Sequence, residues 1–297
     1  MPTVLATHSG PFHADDVMAT ALVRVFVDPA TTVVRTRDPE RLAPADIVVD
    51  VGGVFDPATQ RFDHHQATYT GPRSSAGMVL DWLEASGRMS ESLASTLRDG
   101  LMEYLDAVDN GRIAPKSDVP CFPRIVDALV QSAELGGPAE PPGGVGFDAM
   151  FEKAVTVGTW FLEGLQAGHV KIEQARNVVR TAMDEAREAG RNVLFLDAYY
   201  SWKAPYFELG GAEHPTEFVL FPGTDDTWRI IAIPPQLGDF GQKRSLPASW
   251  AGLTDEALEA ACGVPGAVFC HKNRFIAVFR TRDGALTALR THGLLDR

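Results

Sequence analysis

Apolar positions in the first part of the chain follow two alternating periods. Short β-branched runs at 3–7, 32–36 and 46–51 read as strands, and Leu5, Val33, Val34, Ile47, Val48 and Val49 give them the near-continuous apolar character of strands covered on both faces. Residues 15–26 carry helical spacing between the first two runs. This alternation predicts an α/β fold built on a parallel sheet. Helices follow at about 75–86, stopped by Gly87, and at 91–108, stopped by Asp109-Asn110-Gly111. The Gly- and Pro-rich run 134–146 reads as a surface loop. From 147 to 189 there is no proline, and the pattern predicts helices broken or bent near Gly164 or Gly168. Beyond 190 the texture turns to β, with runs at 193–196, 217–221, 228–233, 268–271 and 275–281 and a helix at 254–261 opened by Thr254. The expected organisation is a 1–190 domain, including a helical linker at 147–190, and a smaller α+β domain at 191–297.

A length of 297 residues with 45% hydrophobic and 22% charged residues is a globular composition with room for two cores. No apolar stretch approaches the roughly 18 consecutive residues of a membrane helix, and the first residues enter a strand directly, so a membrane or secreted protein is not expected. Three cysteines, Cys121, Cys262 and Cys270, form no C-x-x-C pair and fit a reducing cytoplasm.

The formal net charge is -12, which argues against a surface that coats polyanions generally. Its distribution is uneven. Residues 228–297 carry nine Lys and Arg against six acids, a local excess of +3, so the carboxylates concentrate toward the front of the chain.

Four of the eight histidines, His8, His13, His64 and His65, fall in the first 65 residues, each beside acids at an expected strand end. Carboxyl ends of parallel strands converge on one crevice, so these residues are expected to meet there. Imidazoles and carboxylates without thiolates suit Mn²⁺ or Mg²⁺ better than a structural zinc. Asp50, the acid at the strand-to-Gly52-Gly53 turn, is the candidate to bridge two ions. Any one of these histidines alone would read better as an ordinary hydrogen-bonded side chain; the set does not. Asp16 and Asp56 read as local caps. Arg73-Ser74-Ser75-Ala76-Gly77 before an apolar helix reads either as an anion-binding helix start or as an ordinary Ser cap.

The strings THSGPFHADD (7–16), DVGGVFDP (50–57), RFDHHQ (61–66), SSAG (74–77) and DAVDNG (106–111), joined near the C-terminus by RSLPASWAGL (244–253), resemble the Myg family. That family, related to the melanocyte-proliferating gene product, is a branch of the DHH phosphoesterase superfamily. The resemblance implies a DHH-like N-terminal domain with two divalent ions, Mn²⁺ or Mg²⁺, and a C-terminal domain that binds substrate. One ion would take His8, His13 and Asp50, and the other Asp15, Asp50, His64 and Asp109. Asp106 lies three residues before Asp109 on the same helical face and is the alternative ligand. Asp63 would orient His64 or His65, with His65 as proton donor and Arg73 steadying the leaving charge. Ser74, Ser75, His271, Lys272 and Arg274 would contact substrate. The implied activity is 3′ to 5′ exonuclease action on RNA or short oligonucleotides. Alternatives are hydrolysis of pyrophosphate or a small nucleotide, or metal and nucleotide binding without turnover. One departure stands out: where the family tends to show a glycine-rich segment, FCHKNRFIAV (269–278) has no glycine, which bears on substrate identity more than on metal chemistry.

Overall fold

The computed structural model describes residues 1–134, 145–223 and 225–295. The fold is α/β. The chain divides into two compact units, Met1–Ala167 and Gly168–Arg297. Most of the run read as a loop, 135–144, lies outside the described residues.

The first unit is built on the strands β1 (Val4–Thr7), β2 (Thr32–Arg35), β3 (Ile47–Val49), β4 (Phe55–Asp56) and β5 (Arg61–Phe62), in the order β2-β1-β3-β5-β4. β1 pairs in parallel with β2 and β3, and β3 in parallel with β5. Only the short edge strand β4 runs antiparallel, against β5. The helices of this unit are α1 (Ala14–Phe26), α2 (Pro39–Leu42), α3 (Ser75–Ala85), α4 (Glu91–Leu97), α5 (Glu103–Asp109) and α6 (Phe122–Glu134). The core joins Leu5, Ile47 and Val49 of the sheet to Val17, Met18 and Leu22 of α1 and Val79, Leu80 and Leu83 of α3. Where the spacing predicts one helix over 91–108, the structure has α4 and α5 joined through a π turn at Arg98–Met102. The wider turn sits at Asp99-Gly100, where a glycine loosens the helical ladder.

α7 (Val145–Glu188) is one continuous helix of 44 residues, not the broken pair expected from Gly164 and Gly168. A helical glycine costs about 1 kcal/mol, too little to interrupt a run otherwise rich in good helix formers. The division between the units falls within α7, ahead of the change of texture near 190. Its earlier residues Phe151, Val155 and Leu162 join the first core, while Ala175, Val179 and Met183 pack on Leu194 and Val219 of the second.

The second unit holds β6 (Val193–Phe195), α8 (Lys203–Glu208), β7 (Phe218–Pro222), β8 (Trp228–Ala232), α9 (Asp255–Cys262), β9 (Ala267–Cys270), β10 (Ile276–Phe279) and α10 (Arg282–Thr291). The sheet order is β6-β7-β8-β10-β9, with β6 and β7 parallel and the other pairs antiparallel. One face carries Val193, Leu220 and Ile230 under α9 and α10, and the other carries Leu194, Val219 and Phe221. No helix among the described residues is long and apolar enough to cross a membrane.

Candidate metal centre

β1, β3 and β5 all end at the same edge of the first sheet, and each is followed directly by site residues: His8 after β1, Asp50 after β3, and Asp63-His64-His65 after β5. Parallel pairing puts these carboxyl ends side by side. His13 caps the start of α1, which carries Asp15 and Asp16, and Asp109 closes α5.

Donor atoms from these segments converge. His8, His13 and Asp50 offer donor atoms within 4.8 Å of one another, as do Asp50, His64 and His65, and as do His13, Asp15 and Asp109. Asp50 divides its two oxygens: Oδ2 lies 3.3 Å from His8 Nε2, and Oδ1 lies 3.3 Å from His64 Nε2 and 3.4 Å from His65 Nδ1. His64 Nε2 is also 3.1 Å from Asp109 Oδ2 and 3.7 Å from Asp15 Oδ2. Asp50 holds this position with φ of 56°, in the left-handed region that Asp and Asn tolerate better than other non-glycine residues.

The polar groups are poorly matched to each other. Both carboxylate oxygens of Asp15, one of Asp16 and Nε2 of His64 are buried without an aligned hydrogen bond. Burial, followed by the charges of Asp50, Asp109 and Asp16, pushes the Asp15 carboxyl well above the usual range. Burial likewise lifts Asp16 to about 6. Burial would also raise Asp50, but the imidazoles of His64 and His8 hold it well below its ordinary value. Burial opposes the charged form of His64, yet Asp109 and Asp50 outweigh it and raise that imidazole to about 10. His8 is raised in the same way: its burial is overcome by Asp50 and Asp16.

His64 shows which charge the cluster favours. Asn110 Nδ2 donates to the carbonyls of Asp106 (2.8 Å) and Pro72 (3.2 Å), which leaves Asn110 Oδ1 as acceptor for His64 Nδ1–H at 3.3 Å. Neutral His64 therefore turns its Nε2 lone pair toward three carboxylates, a repulsive arrangement that either a proton or a cation relieves. An all-oxygen and imidazole donor set with surplus negative charge fits a hard or borderline divalent ion.

Asp63 accepts from the Gly53 N–H (2.6 Å), the His65 N–H (3.0 Å) and His65 Nδ1 (2.8 Å), so it orients His65 rather than His64. The side chain of His65 is 61% exposed. Of the two candidate acids on α5, Asp109 faces the cluster. Asp106 instead accepts from the Ser74 N–H and Oγ, each at 2.9 Å, and from Arg73 Nη1 at 3.2 Å.

The start of α3, open in the sequence to either an anion or an ordinary cap, has its polar side chains engaged by acids of the chain itself. Ser74 is held by Asp106, and Ser75 Oγ donates to Asp50 Oδ1 at 3.2 Å. Arg73 spreads its charge over Asp81 and Asp106. In the second unit His271, Lys272 and Arg274 sit on the turn between β9 and β10. His271 Nδ1 accepts the Asn273 N–H, and Arg274 adopts φ of 59°. Two residues at the centre carry a further contact that their local roles hide. Asp16 caps α1 by accepting the His13 N–H at 2.9 Å, yet its other oxygen lies 3.3 Å from His8 Nε2. Asn110, whose sequence signal is only a helix stop, orients His64.

Fold and site together define a class: an α/β protein with a candidate cation-binding cluster of imidazoles and carboxylates on the carboxyl edge of a parallel sheet. The family model for MYG1, described as uncharacterised protein family UPF0160, matches residues 4–291. The chain belongs to this family. It is 37% identical over 292 residues to a protein of Chlamydia trachomatis named MYG1 protein, covering 97% of this chain and 96% of that one. It is 32% identical over 321 residues to a human protein named MYG1 exonuclease, covering 97% and 85%. It is also 32% identical over 310 residues to a MYG1 protein of Dictyostelium discoideum, covering 95% and 94%.

Proposed function

We propose that this chain is a cytoplasmic, DHH-type metal-dependent phosphoesterase that removes nucleotides from RNA or short oligonucleotides in the 3′ to 5′ direction. The observation that carries the reading is the convergence on Asp50 of His8, His13, His64 and their neighbouring acids, a donor set in which several buried oxygens and one imidazole nitrogen have no hydrogen-bond partner. Support for a nucleic-acid substrate comes from the human relative's name, exonuclease.

Two divalent ions, Mn²⁺ in first place and Mg²⁺ in second, would be held by His8, His13 and Asp50 and by Asp15, Asp50, His64 and Asp109; bound there they supply Lewis-acid activation of water and neutralise phosphoryl charge. Asp50 would serve both groups, since its Oδ2 lies beside His8 and its Oδ1 beside His64. Asp63 fixes the ring of His65 through Nδ1, which leaves Nε2 of an exposed imidazole to give a proton to the departing oxygen. Arg73 and Ser74 act by holding the start of α3 rather than by touching substrate. Ser75 steadies Asp50, and His271, Lys272 and Arg274 are the second unit's candidates for phosphate contact.

The absence of glycine from 269–278 favours a second reading, hydrolysis of pyrophosphate or a small nucleotide diester on the same site. Both are tested with one preparation: protein purified without chelator, assayed with Mn²⁺ against a 3′-labelled and a 5′-labelled oligonucleotide and against pyrophosphate. Release of the 3′ label as a mononucleotide, with stepwise shortening of the 5′-labelled strand, supports the exonuclease. Pyrophosphate turnover alone supports the second reading, and metal binding with no turnover of any substrate points to a non-catalytic role.

A further inference from the structure

Beside the centre a buried carboxylate, Asp106, is turned toward α3 and not toward the donor cluster. Asp106 is fully buried. Its Oδ1 takes both the backbone N–H and the hydroxyl of Ser74, and its Oδ2 takes Arg73. It is packed against Gly77 so closely that a Cβ at that position would meet Asp106 Oδ1 at 2.4 Å and Oδ2 at 2.6 Å. A side chain from α5 is therefore locked into the first turn of α3.

Each of these helices also sends a group into the centre. Ser75, next to Ser74, donates to Asp50 Oδ1, the same oxygen that faces His64 and His65. Asp109, three residues after Asp106 on α5, approaches His64 from another side. Residues three apart lie on the same face of a helix, so fixing Asp106 fixes the reach of Asp109.

We propose that Asp106 is a positioning residue: by locking α5 to the N-terminus of α3 it sets, in one contact, the rotation of Asp50 through Ser75 and the approach of Asp109. The inference rests on the reading of this cluster as a divalent-metal centre. Groups that orient metal ligands typically change metal affinity by roughly 10–100-fold when removed. A purely architectural role would change melting temperature without that signature.

The test is Mn²⁺ titration calorimetry on the full chain, with thermal melting of each variant in chelator. Asp106→Ala, and independently Gly77→Ala, which pushes the same carboxylate away, are expected to weaken Mn²⁺ binding by roughly 10-fold or more. Ser75→Ala, which removes one hydroxyl and leaves the α3–α5 lock intact, is expected to weaken it in the same direction and serves if the other two do not fold. Val79→Ala, a buried position on α3 outside the centre, is the control: a lower melting temperature with Mn²⁺ affinity unchanged. Wild-type affinity in folded Asp106→Ala or in Ser75→Ala, or an equal loss in Val79→Ala, overturns the proposal. Failure of the wild-type chain to take up Mn²⁺ overturns the metal-centre reading itself, a result distinct from a variant matching a wild type that binds.

Discussion

Asp50 combines a charge placed between imidazoles with a backbone conformation few side chains adopt. Asn shares that tolerance, so Asp50→Asn keeps the turn while removing the shared anion. It is expected to lower bound Mn²⁺, counted by elemental analysis, and to cut phosphodiester hydrolysis roughly 100-fold or more. Asp16 makes the opposite kind of prediction. Its carboxyl is raised to about 6, so its contribution to folding is lost as the pH rises from the ordinary carboxylate value to about 6 and stays lost above it. Asn in its place still accepts the His13 N–H. In chelator, Asp16→Asn is expected to melt about 2–6 °C above wild type at pH 8, with the gap closing toward pH 4; a gap independent of pH would contradict this. The meeting of His8, Asp50 and His64 was legible in the sequence because each follows a short strand of a parallel sheet. The roles of Asp16 and Asn110 beyond their helix ends were not, because a cap and a helix stop already account for them locally. Arg73 and Ser74 looked open to an anion for a related reason: their partner, Asp106, arrives from a helix some thirty residues away.

Among elements, α7 separates two kinds of glycine. At Gly164 and Gly168 an added Cβ would meet nothing within 4 Å, so Ala at either position is expected to stabilise its helix by about 1 kcal/mol and raise the melting temperature by about 2–4 °C. At Gly158 an added Cβ would lie 3.1 Å from Ala21 Cβ and 3.4 Å from Phe122, where α7 crosses α1 and α6 closely. Gly158→Ala is therefore expected to gain nothing or to lower the melting temperature, and a scan of the three variants checks both statements. Propensity alone ranks these glycines equally, which is why the sequence shows neither the continuity of α7 nor the close crossing. α6, α8 and α10 escaped the sequence pattern for a shared reason. Pro123, Pro205 and Gly284 stand in their first turns, positions where such residues are tolerated but where they read as breakers. The strands were more legible, since β-branched runs between turn residues leave few other readings.

At the scale of the whole molecule, the proposed metal centre is expected to make stability depend on pH and cation together. Raised groups favour the folded chain when protonated: Asp16 loses that contribution as pH rises from the ordinary carboxylate value to about 6, and His64 as pH rises from 6.5 to about 10. Asp50, held low, acts in the other direction and only in acid. Chelated protein should therefore weaken between pH 5 and 8, by up to about 1.4 kcal/mol per pH unit for each group then titrating. Cation binding needs His64 deprotonated, so the difference in melting temperature between Mn²⁺ and chelator is expected to widen as the pH rises over that interval. A constant difference would show that the cation binds elsewhere. The clearance between Gly77 and Asp106 also carries a genealogical consequence. Neither position drifts freely, because a methyl group at 77 and an acid at 106 contend for one space. A bulkier residue at 77 is therefore expected to be accompanied by a displaced carboxylate or a smaller side chain at 106.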